Sequence, residues 1–293
     1  MAQTPPCKRL GVIGAGRTGQ AFAAALAPFS RDAPLLHNRS SERLKAALAR
    51  LPGVRSTGQA EDIWRSCDLI VLAVSDDAVE EITQRLALQA PGQHPFLFHL
   101  SGRCGTGVLE PLRRRGAVTA AIHPVMTFTG DPRNETQRMK GAPFGITGST
   151  AEAVDKALAV VKLLGGEGFV IAEEKRALYH AALSHAANHL VTLTESAART
   201  LEAAGVEHPH AVLRPLVQAA MENSLSHGFA ALSGPLLRGD RQTIGDHLDA
   251  LRRYCPDILP DYRAMALATL REMERHDMGQ ADAMPDLRQL LEG

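Results

Sequence analysis

Cysteine is scarce in this 293-residue chain: Cys7, Cys67, Cys104 and Cys255 are scattered, with no C-x-x-C pair. That argues against a disulfide framework and a thiolate metal site, and predicts reduced thiols in a cytoplasmic protein. No run of 18 apolar residues occurs, so no membrane-spanning helix is expected. Net charge is absent as well, with 32 basic against 32 acidic residues. There is no basic stripe to hold nucleic acid and no acidic tail. Lysine is rare, since 26 of the 32 basic residues are Arg; this reads as a compositional habit rather than a functional patch. Met1–Pro6 lacks the charged-then-apolar pattern of a secretory signal. What remains is a chain long enough for two domains with sizeable cores.

The stretch that organises the rest is Lys8 to Phe22. Leu10, Val12 and Ile13 form a short buried strand, a tight glycine turn follows, and an alanine-rich helix begins at Thr18. Gly14, Gly16 and Gly19 fit the spacing G-x-G-x-x-G. The first glycine makes the turn, the second lets backbone approach a pyrophosphate, and the third lets the helix pack against the strand. The turn Gly14-Ala15-Gly16-Arg17-Thr18-Gly19 is therefore a candidate dinucleotide cradle, with the positive end of the helix aimed at the phosphates. A second strand is predicted over Ala33–Asn38. Its end, about 20 residues past the turn, is where NAD enzymes carry an acid for the ribose 2′-hydroxyl. Asn38-Arg39-Ser40 stands there instead. An Arg with small hydrogen-bonding neighbours suits a 2′-phosphate, so NADP is the expected cofactor. Ser40 or Ser41 is also a candidate cap for the helix Glu42–Leu51, with Arg39 solvated in that reading.

A short strand is expected near Val54–Ser56. Asp68–Val74 then reads as a parallel strand buried on both faces. Ligands sit beyond the carboxyl ends of such strands, so Ala73, Val74 and Ser75 should border the cofactor. Asp76 or Asp77 is expected to cap the helix Val79–Leu88. The strand Phe96–Leu100 ends in Ser101, placed to bond substrate or nicotinamide carboxamide or else to serve as a turn serine. The strand Val118–Ile122 ends in His123, which would polarise a carbonyl, donate a proton or pin its loop. Gly130–Gly141 is polar and charged and is predicted to be a loop. Phe144–Thr147 and Gly168–Ile171 flank the helix Ala151–Leu164. The alternation of strands and helices over residues 8–172 predicts a doubly wound α/β domain spanning 1–172.

From Glu173 onward the strand pattern ends, and residues 173–293 are expected to form an all-helical substrate and dimerisation domain. The runs are Glu173–Ala204, stopped by Gly205, Ala211–His227 with Pro215 inside it, Asp240–Tyr254, Asp261–His276 and Asp286–Leu291. In the first of these, Ala181, Ser184, Asn188, Thr192 and Glu195 share one face. Short polar groups among alanines suit a substrate pocket or a helix interface better than a solvated face. Asn188 is the foremost candidate there, because an amide both donates and accepts. His185 and His189 stand four apart, but Ala186 occupies the place where a zinc metalloprotease needs its Glu, so no metal site is expected. Lys175, one turn before Tyr179, is a candidate acid or a surface lysine. In the turn Ser233-Gly234-Pro235-Leu236-Leu237-Arg238-Gly239-Asp240, Arg238 is a candidate anchor for a substrate carboxylate or the partner of an acid such as Asp240, with Asp240 capping the helix that follows. Long alanine-rich helices with small-residue faces predict a homodimer through this domain.

These features together resemble the 6-phosphogluconate dehydrogenase-like superfamily, which includes 3-hydroxyacid dehydrogenases, pyrroline-5-carboxylate reductases and ketopantoate reductases. More narrowly, His123-Pro124, the helix from Tyr179-His180 to Asn188, and Gly234-Pro235 with Arg238-Gly239-Asp240 are similar to the family described as a Rossmann-like domain followed by a domain of unknown function 2520. The resemblance covers nearly the whole chain. It implies an NADP-binding oxidoreductase, commonly dimeric through its helical domain, and ketopantoate-like 2-keto acids are one substrate class it implies. The first domain is also similar to NADP oxidoreductases that use the deazaflavin coenzyme F420. Hydroxyacid dehydrogenases place a catalytic Lys on the interdomain helix with Asn one turn later. Here Tyr179 stands one turn after Lys175, and Asn188 comes 13 residues after it. The proton donor is accordingly open among His123, His180, Lys175 and water. The expectation is an NADPH-dependent reductase of a small carboxylated carbonyl or imine compound, with hydride transfer in an interdomain cleft lined by Ser101, His123, Ser184, Asn188 and Arg238. A non-catalytic NADP sensor and a deazaflavin oxidoreductase are the rival readings.

Overall fold

Runs of Val, Ile, Leu and Phe without polar alternation build strands that are covered on both faces. In the computed structural model, which describes residues 7–293, these strands form one eight-stranded sheet. Met1–Pro6, read above for a signal pattern, lie outside the described residues. In chain order the first unit runs β1 (Leu10–Ile13), α1 (Arg17–Leu26), β2 (Leu35–His37), α2 (Ser41–Leu48), β3 (Arg55–Ser56), α3 (Ala60–Ser66), β4 (Leu69–Leu72) and α4 (Asp76–Ala87). It continues β5 (Phe96–His99), α5 (Glu110–Arg113), β6 (Val118–Pro124), α6 (Pro132–Arg138), β7 (Pro143–Gly148), α7 (Ala151–Leu163) and β8 (Glu167–Val170). The sheet order is β3-β2-β1-β4-β5-β6-β7-β8. All pairs are parallel except β6 with β7, where His123 lies opposite Gly145. The order reverses between β1 and β4, which is the switch point where open α/β sheets take their ligands.

Two apolar layers sandwich the sheet. Alternate residues point to opposite faces, so Val12, Val71, Phe98 and Ile122 join Phe22 and Leu26 of α1 on one side. Ile13, Ile70, Leu72 and Leu97 join Ile63 and Trp64 of α3 on the other. Each such side chain taken fully out of water contributes roughly 1.5–3 kcal/mol. The backbone fixed by these layers is what holds the strand ends in place.

The chain divides into two compact units, Met1–Ser184 and His185–Gly293, and the division falls within one helix. After a 3-10 turn at Glu173–Lys175, α8 runs from Arg176 to Ala203. Gly205, at φ +89°, ends that run. The helices α9 (Pro209–His227), α10 (Arg241–Tyr254), α11 (Leu259–Arg275) and α12 (Met284–Glu292) follow. Ile244 and Leu248 of α10, Leu270 and Met273 of α11, and Leu287 and Leu291 of α12 form the core of the second unit. Their three- and four-residue spacing is that of helix faces packed together. By contrast α9 buries only Pro209. No helix among the described residues is long and apolar enough to cross a membrane.

Three local expectations differ from the structure. Pro132–Arg138 is a helix, not a loop: Asp131 caps it by accepting from the Arg133 amide at 3.0 Å, and Pro132 stands at its first position. The helix after β4 starts at Asp76 with Ser75 as its N-cap residue, so Asp76 and Asp77 lie in the first turn, where their charges favour the positive helix end without capping it. The helix capped by Ser40 starts at Ser41 and ends at Leu48.

Candidate functional site

The glycine turn is shaped by three different demands. Gly14 has φ +110°, and a Cβ there would stand 2.2 Å from the Ala73 carbonyl oxygen. At Gly19 a Cβ would fall 2.0 Å from the Gly14 carbonyl oxygen, so α1 closes directly on the turn. At Gly16 a Cβ would meet no atom within 4 Å. Gly16 is thus open on the outside, while its two companions are closed by protein. It is also the N-cap residue of α1, and no side chain caps that helix nor does an acid stand in its first turn. The first amides of α1 have no side-chain acceptor among the described residues, which is the kind of helix end able to take an anion. Arg17 is exposed, and its guanidinium donates to the Phe128 carbonyl at 3.4 Å. Thr18 follows it, half-buried, in the first turn of the same helix.

Asn38 has a task the sequence did not disclose. Its amide oxygen accepts from Ala15 N–H at 3.0 Å, and its amide nitrogen donates to the Ser40 carbonyl at 3.0 Å. It ties the glycine turn to the β2–α2 turn. Ser40 caps α2 by accepting from the Arg43 amide at 3.3 Å. Arg39 is exposed with no ion-pair partner among the described residues, and so is Arg43, which the sequence reading passed over. Two free guanidinium groups flanking a cap serine are a donor set suited to a phosphate monoester. Ala73, Val74 and Ser75 follow β4, and the exposed Ser75 makes no capping bond.

At the far ends of β5 and β6 a second cluster forms. His99 is fully buried: its Nδ1 accepts from the Ser101 amide at 3.2 Å, and its Nε2 lies 2.9 Å from the Gly105 carbonyl. That places its proton on Nε2. Burial, seconded by the Arg176 charge, pushes its pKa down to about 4, so the ring is neutral. The Ser101 hydroxyl accepts from the Cys104 amide at 3.0 Å, as a turn serine does. The Ser101 carbonyl accepts from Arg176 at 2.6 Å.

Arg176 is the residue the sequence reading missed. It opens α8, is only 1% exposed, and also donates to the Thr147 hydroxyl at 3.2 Å. Its helical neighbour one turn on, Tyr179, sets its hydroxyl 2.8 Å from His123 Nδ1. His123 is held near 4 by burial first, then by the charge of Arg176 and the neighbouring His180. Burial pushes the Tyr179 phenol up to about 12, against the pull of Arg176. His180 packs edge-on against His123 with ring centres 6.0 Å apart and makes no side-chain hydrogen bond among the described residues. Both rings pass over Gly102, where a Cβ would lie 2.5 Å from His180 Cδ2 and 2.9 Å from His123 Nε2. The structure therefore brings Ser101, His123 and His180 together and adds Gly102, Arg176 and Tyr179. Lys175 lies exposed on the 3-10 turn without an ion-pair partner among the described residues. Beside it Glu173 accepts from the Thr106 and Gly107 amides and the Thr106 hydroxyl; burial works against its charge, but these bonds hold it below the usual carboxylate range.

The remaining candidates lie on α8 and in the second unit. Ser184 is half-buried and Asn188 exposed, and neither side chain makes a hydrogen bond among the described residues. Arg238 is exposed and has no ion-pair partner among the described residues. Asp240 instead caps α10 through the Thr243 amide and hydroxyl, which hold its carboxyl low, with a smaller contribution from the Arg238 charge. His185 and His189 face each other at 2.8 Å, yet no group of three metal-ligating side chains exists among the described residues.

Residues 2–124 match the model of a Rossmann-like domain, and residues 142–269 match that of a domain of unknown function (DUF2520). The chain joins these two domains. No curated protein matches it by sequence. Among solved structures, it is similar to a protein of Bacteroides fragilis assigned as an NADP oxidoreductase, at 21% identity and a TM-score of 0.72, covering 89% of this chain and 97% of that one. It is similar to the imine reductase of Myxococcus stipitatus in complex with NADP+, at 17% identity and a TM-score of 0.65, covering 95% and 99%. A third likeness is the reductive aminase of Aspergillus terreus in complex with NADPH and ethyl-5-oxohexanoate, at 20% identity and a TM-score of 0.60, covering 97% and 92%. At these identities the likeness is one of fold.

Proposed function

We propose that the protein is an NADPH-dependent reductase of a small carboxylated carbonyl or imine compound. The observation that carries this reading is the glycine turn: closed by protein at Gly14 and Gly19, open at Gly16, and followed by a helix whose first amides lack a side-chain acceptor. Free Arg39 and Arg43 beside Ser40 favour the 2′-phosphate of NADP over the 2′-hydroxyl of NAD. Two fold relatives crystallised with NADP+ or NADPH, an imine reductase and a reductive aminase, support the same cofactor and reaction class. Residues 14–19 would hold the pyrophosphate, and Ala73, Val74 and Ser75 would border the dinucleotide. Bound NADPH would supply the hydride. The chain's part is to orient the acceptor and move a proton, and the strand-end cluster of Ser101, His123 and His180 is equipped for both. Ser184 is proposed as a further substrate contact; Asn188 and Arg238, in the second unit, are proposed as polar groups able to bind a carboxylated ligand.

The unit of function is proposed to be a homodimer in the cytoplasm. Val191 and Leu193 of α8 and Val212, Leu216, Met221 and Leu225 of α9 are exposed apolar side chains, more than single scattered hydrophobics would explain. Free thiols at Cys7, Cys67, Cys104 and Cys255 suit a reducing compartment.

The test is calorimetric titration with NADPH and NADH, followed by a screen of 2-keto acids and cyclic imines that tracks NADPH absorbance. Binding of NADPH in preference to NADH, with turnover of at least one carboxylated substrate, is the expected result. An inability to bind either dinucleotide would overturn the reading. Binding without turnover of any compound would leave a dinucleotide sensor instead.

A further inference from the structure

A buried guanidinium normally faces a carboxylate, and Arg176 does not. It is 1% exposed, yet its two recorded partners are neutral: the Ser101 carbonyl and the Thr147 hydroxyl. Its Nε has no hydrogen-bond partner among the described residues. Glu173, three residues before it, spends its carboxylate on Thr106 and Gly107. Glu173 and Asp76 act on it only through space; a buried charge with no hydrogen-bonded counter-charge is expensive, so this arrangement calls for an anion that arises during function. The guanidinium carbon lies 5.8 Å from the centre of the Tyr179 ring, and the Tyr179 hydroxyl touches His123 Nδ1 at 2.8 Å.

The direction of that hydrogen bond follows from acidity. A phenol is a far stronger acid than a neutral imidazole N–H, and imidazole nitrogen is a far better base than phenol oxygen. The O–H of Tyr179 therefore donates to Nδ1, and His123 carries its proton on Nε2. Nε2 has no hydrogen-bond partner among the described residues. It stands above Gly102, where the missing Cβ leaves it clear.

We propose that Tyr179 and His123 form a proton relay to the substrate, with Arg176 as the resident counter-ion of the tyrosinate that the relay creates; this rests on the reductase reading above. When the carbonyl carbon gains a hydride from reduced nicotinamide, the electron pair of its π bond moves to oxygen. That oxygen takes the proton from His123 Nε2 as Nδ1 takes the phenolic proton of Tyr179. The imidazole stays neutral with its proton moved from one nitrogen to the other. The negative charge ends on Tyr179, beside Arg176. After product leaves, Nε2 takes a proton from water and Nδ1 returns its own to the tyrosinate, which restores the start. Neither rival donor shares this geometry. Lys175 is exposed without an ion-pair partner among the described residues, and His180 meets His123 only edge-on.

The experiment uses the full-length protein with and without NADP+, selectively 15N-labelled at histidine. Long-range NMR correlations report which nitrogen of His123 is protonated, with no turnover required. The wild type is expected to show protonated Nε2 and bare Nδ1. Tyr179→Phe keeps the ring against Arg176 but removes the donor, so the His123 signal should shift toward a tautomer mixture. Turnover should then fall on the order of 10²-fold with NADPH affinity unchanged. Arg176→Lys should keep most of that turnover and Arg176→Gln should not. A wild-type His123 protonated on Nδ1 overturns the relay, as does full turnover by Tyr179→Phe. Failure to bind NADPH overturns the reductase reading itself, a separate outcome of the same titration.

Discussion

His123 on β6 is the cross-strand partner of Gly145 on β7, and the side chain missing at 145 is the space into which the Tyr179 hydroxyl fits. A Cβ at position 145 would stand 2.7 Å from that hydroxyl and 2.7 Å from Ile171 Cδ1. Cross-strand partners share a face of the sheet, so the tyrosine reaches His123 only because its neighbour is glycine. Gly145→Ala is therefore expected to destabilise the fold by roughly 1–3 kcal/mol through overpacking. It should also break the Tyr179–His123 hydrogen bond while leaving NADPH affinity intact. Chemical denaturation and the 15N signal of His123 measure the two effects. Unchanged stability together with an unchanged His123 signal would show that position 145 does not set the tyrosine.

The glycine turn is expected to separate a folding role from a binding role within a few residues. Gly19→Ala places a Cβ 2.0 Å from a backbone carbonyl oxygen that has nowhere to go. A loss of several kcal/mol or failure to fold is expected, on the order of severe core overpacking. Gly16→Ala meets no protein atom within 4 Å. Its melting temperature should match the wild type, while NADPH binding weakens tenfold or more, about 1.4 kcal/mol. Thermal melts paired with calorimetry test the contrast. Equal effects of the two substitutions on stability would contradict it.

Much of this was legible because its causes are local. Three glycines at fixed spacing, a strand without alternation and a cap serine each act within a few residues, so the sheet and the glycine turn could be read directly. The helix Pro132–Arg138 was not legible, because its polar residues mimic a loop. Its Glu135 in fact turns inward, fully buried, to accept from Thr129 and Gly130. Arg176 looked like any of the chain's many arginines, since only its partners at Ser101 and Thr147 distinguish it. The His123–Tyr179 contact joins residues 56 apart in the chain, and no periodicity announces it.

Cofactor choice should rest on charge at the β2–α2 turn. Arg39 and Arg43 are exposed and without ion-pair partners among the described residues. Removing either as Ala is expected to weaken NADPH about tenfold, the effect of one charge-assisted contact to a phosphate. NADH, which lacks that phosphate, should bind as before. Titrations with both dinucleotides measure the ratio. A parallel loss for NADPH and NADH would place the arginines elsewhere than at the 2′-phosphate.

Acid should unfold this protein through His99. Its pKa is depressed to about 4 from an ordinary value of 6.5, chiefly by burial. Below pH 6.5 the unfolded chain takes up a proton that the folded His99 refuses until about pH 4. Stability is thus fully present above 6.5 and falls as pH drops through that window. The loss from this one group is on the order of 3 kcal/mol. Denaturation midpoints at pH 7, 5.5 and 4 should decline, and His99→Gln should flatten the decline. A wild type equally stable from pH 7 to pH 4 would rule this out.

The last prediction concerns α9, which is short of a partner on two sides at once. Val212 and Leu216 lie one turn apart, and Met221 and Leu225 form a second such pair half a turn around the helix from the first. All four are exposed, Leu225 by 82%. Exposed apolar side chains on opposite sides of one helix mark a surface that other chain covers, and for a homodimer that chain is a second copy. Burying each leucine contributes roughly 1.5–3 kcal/mol, counted once per protomer in a two-fold assembly. The double substitution Leu216→Glu and Leu225→Glu is therefore expected to convert a dimer to monomers at micromolar concentration. The Rossmann-like unit should keep its NADPH affinity, because its apolar layers are complete without α9. Sedimentation velocity over a concentration series measures the first effect and calorimetry the second. A wild-type protein that sediments as a monomer throughout would remove the dimer from the proposal.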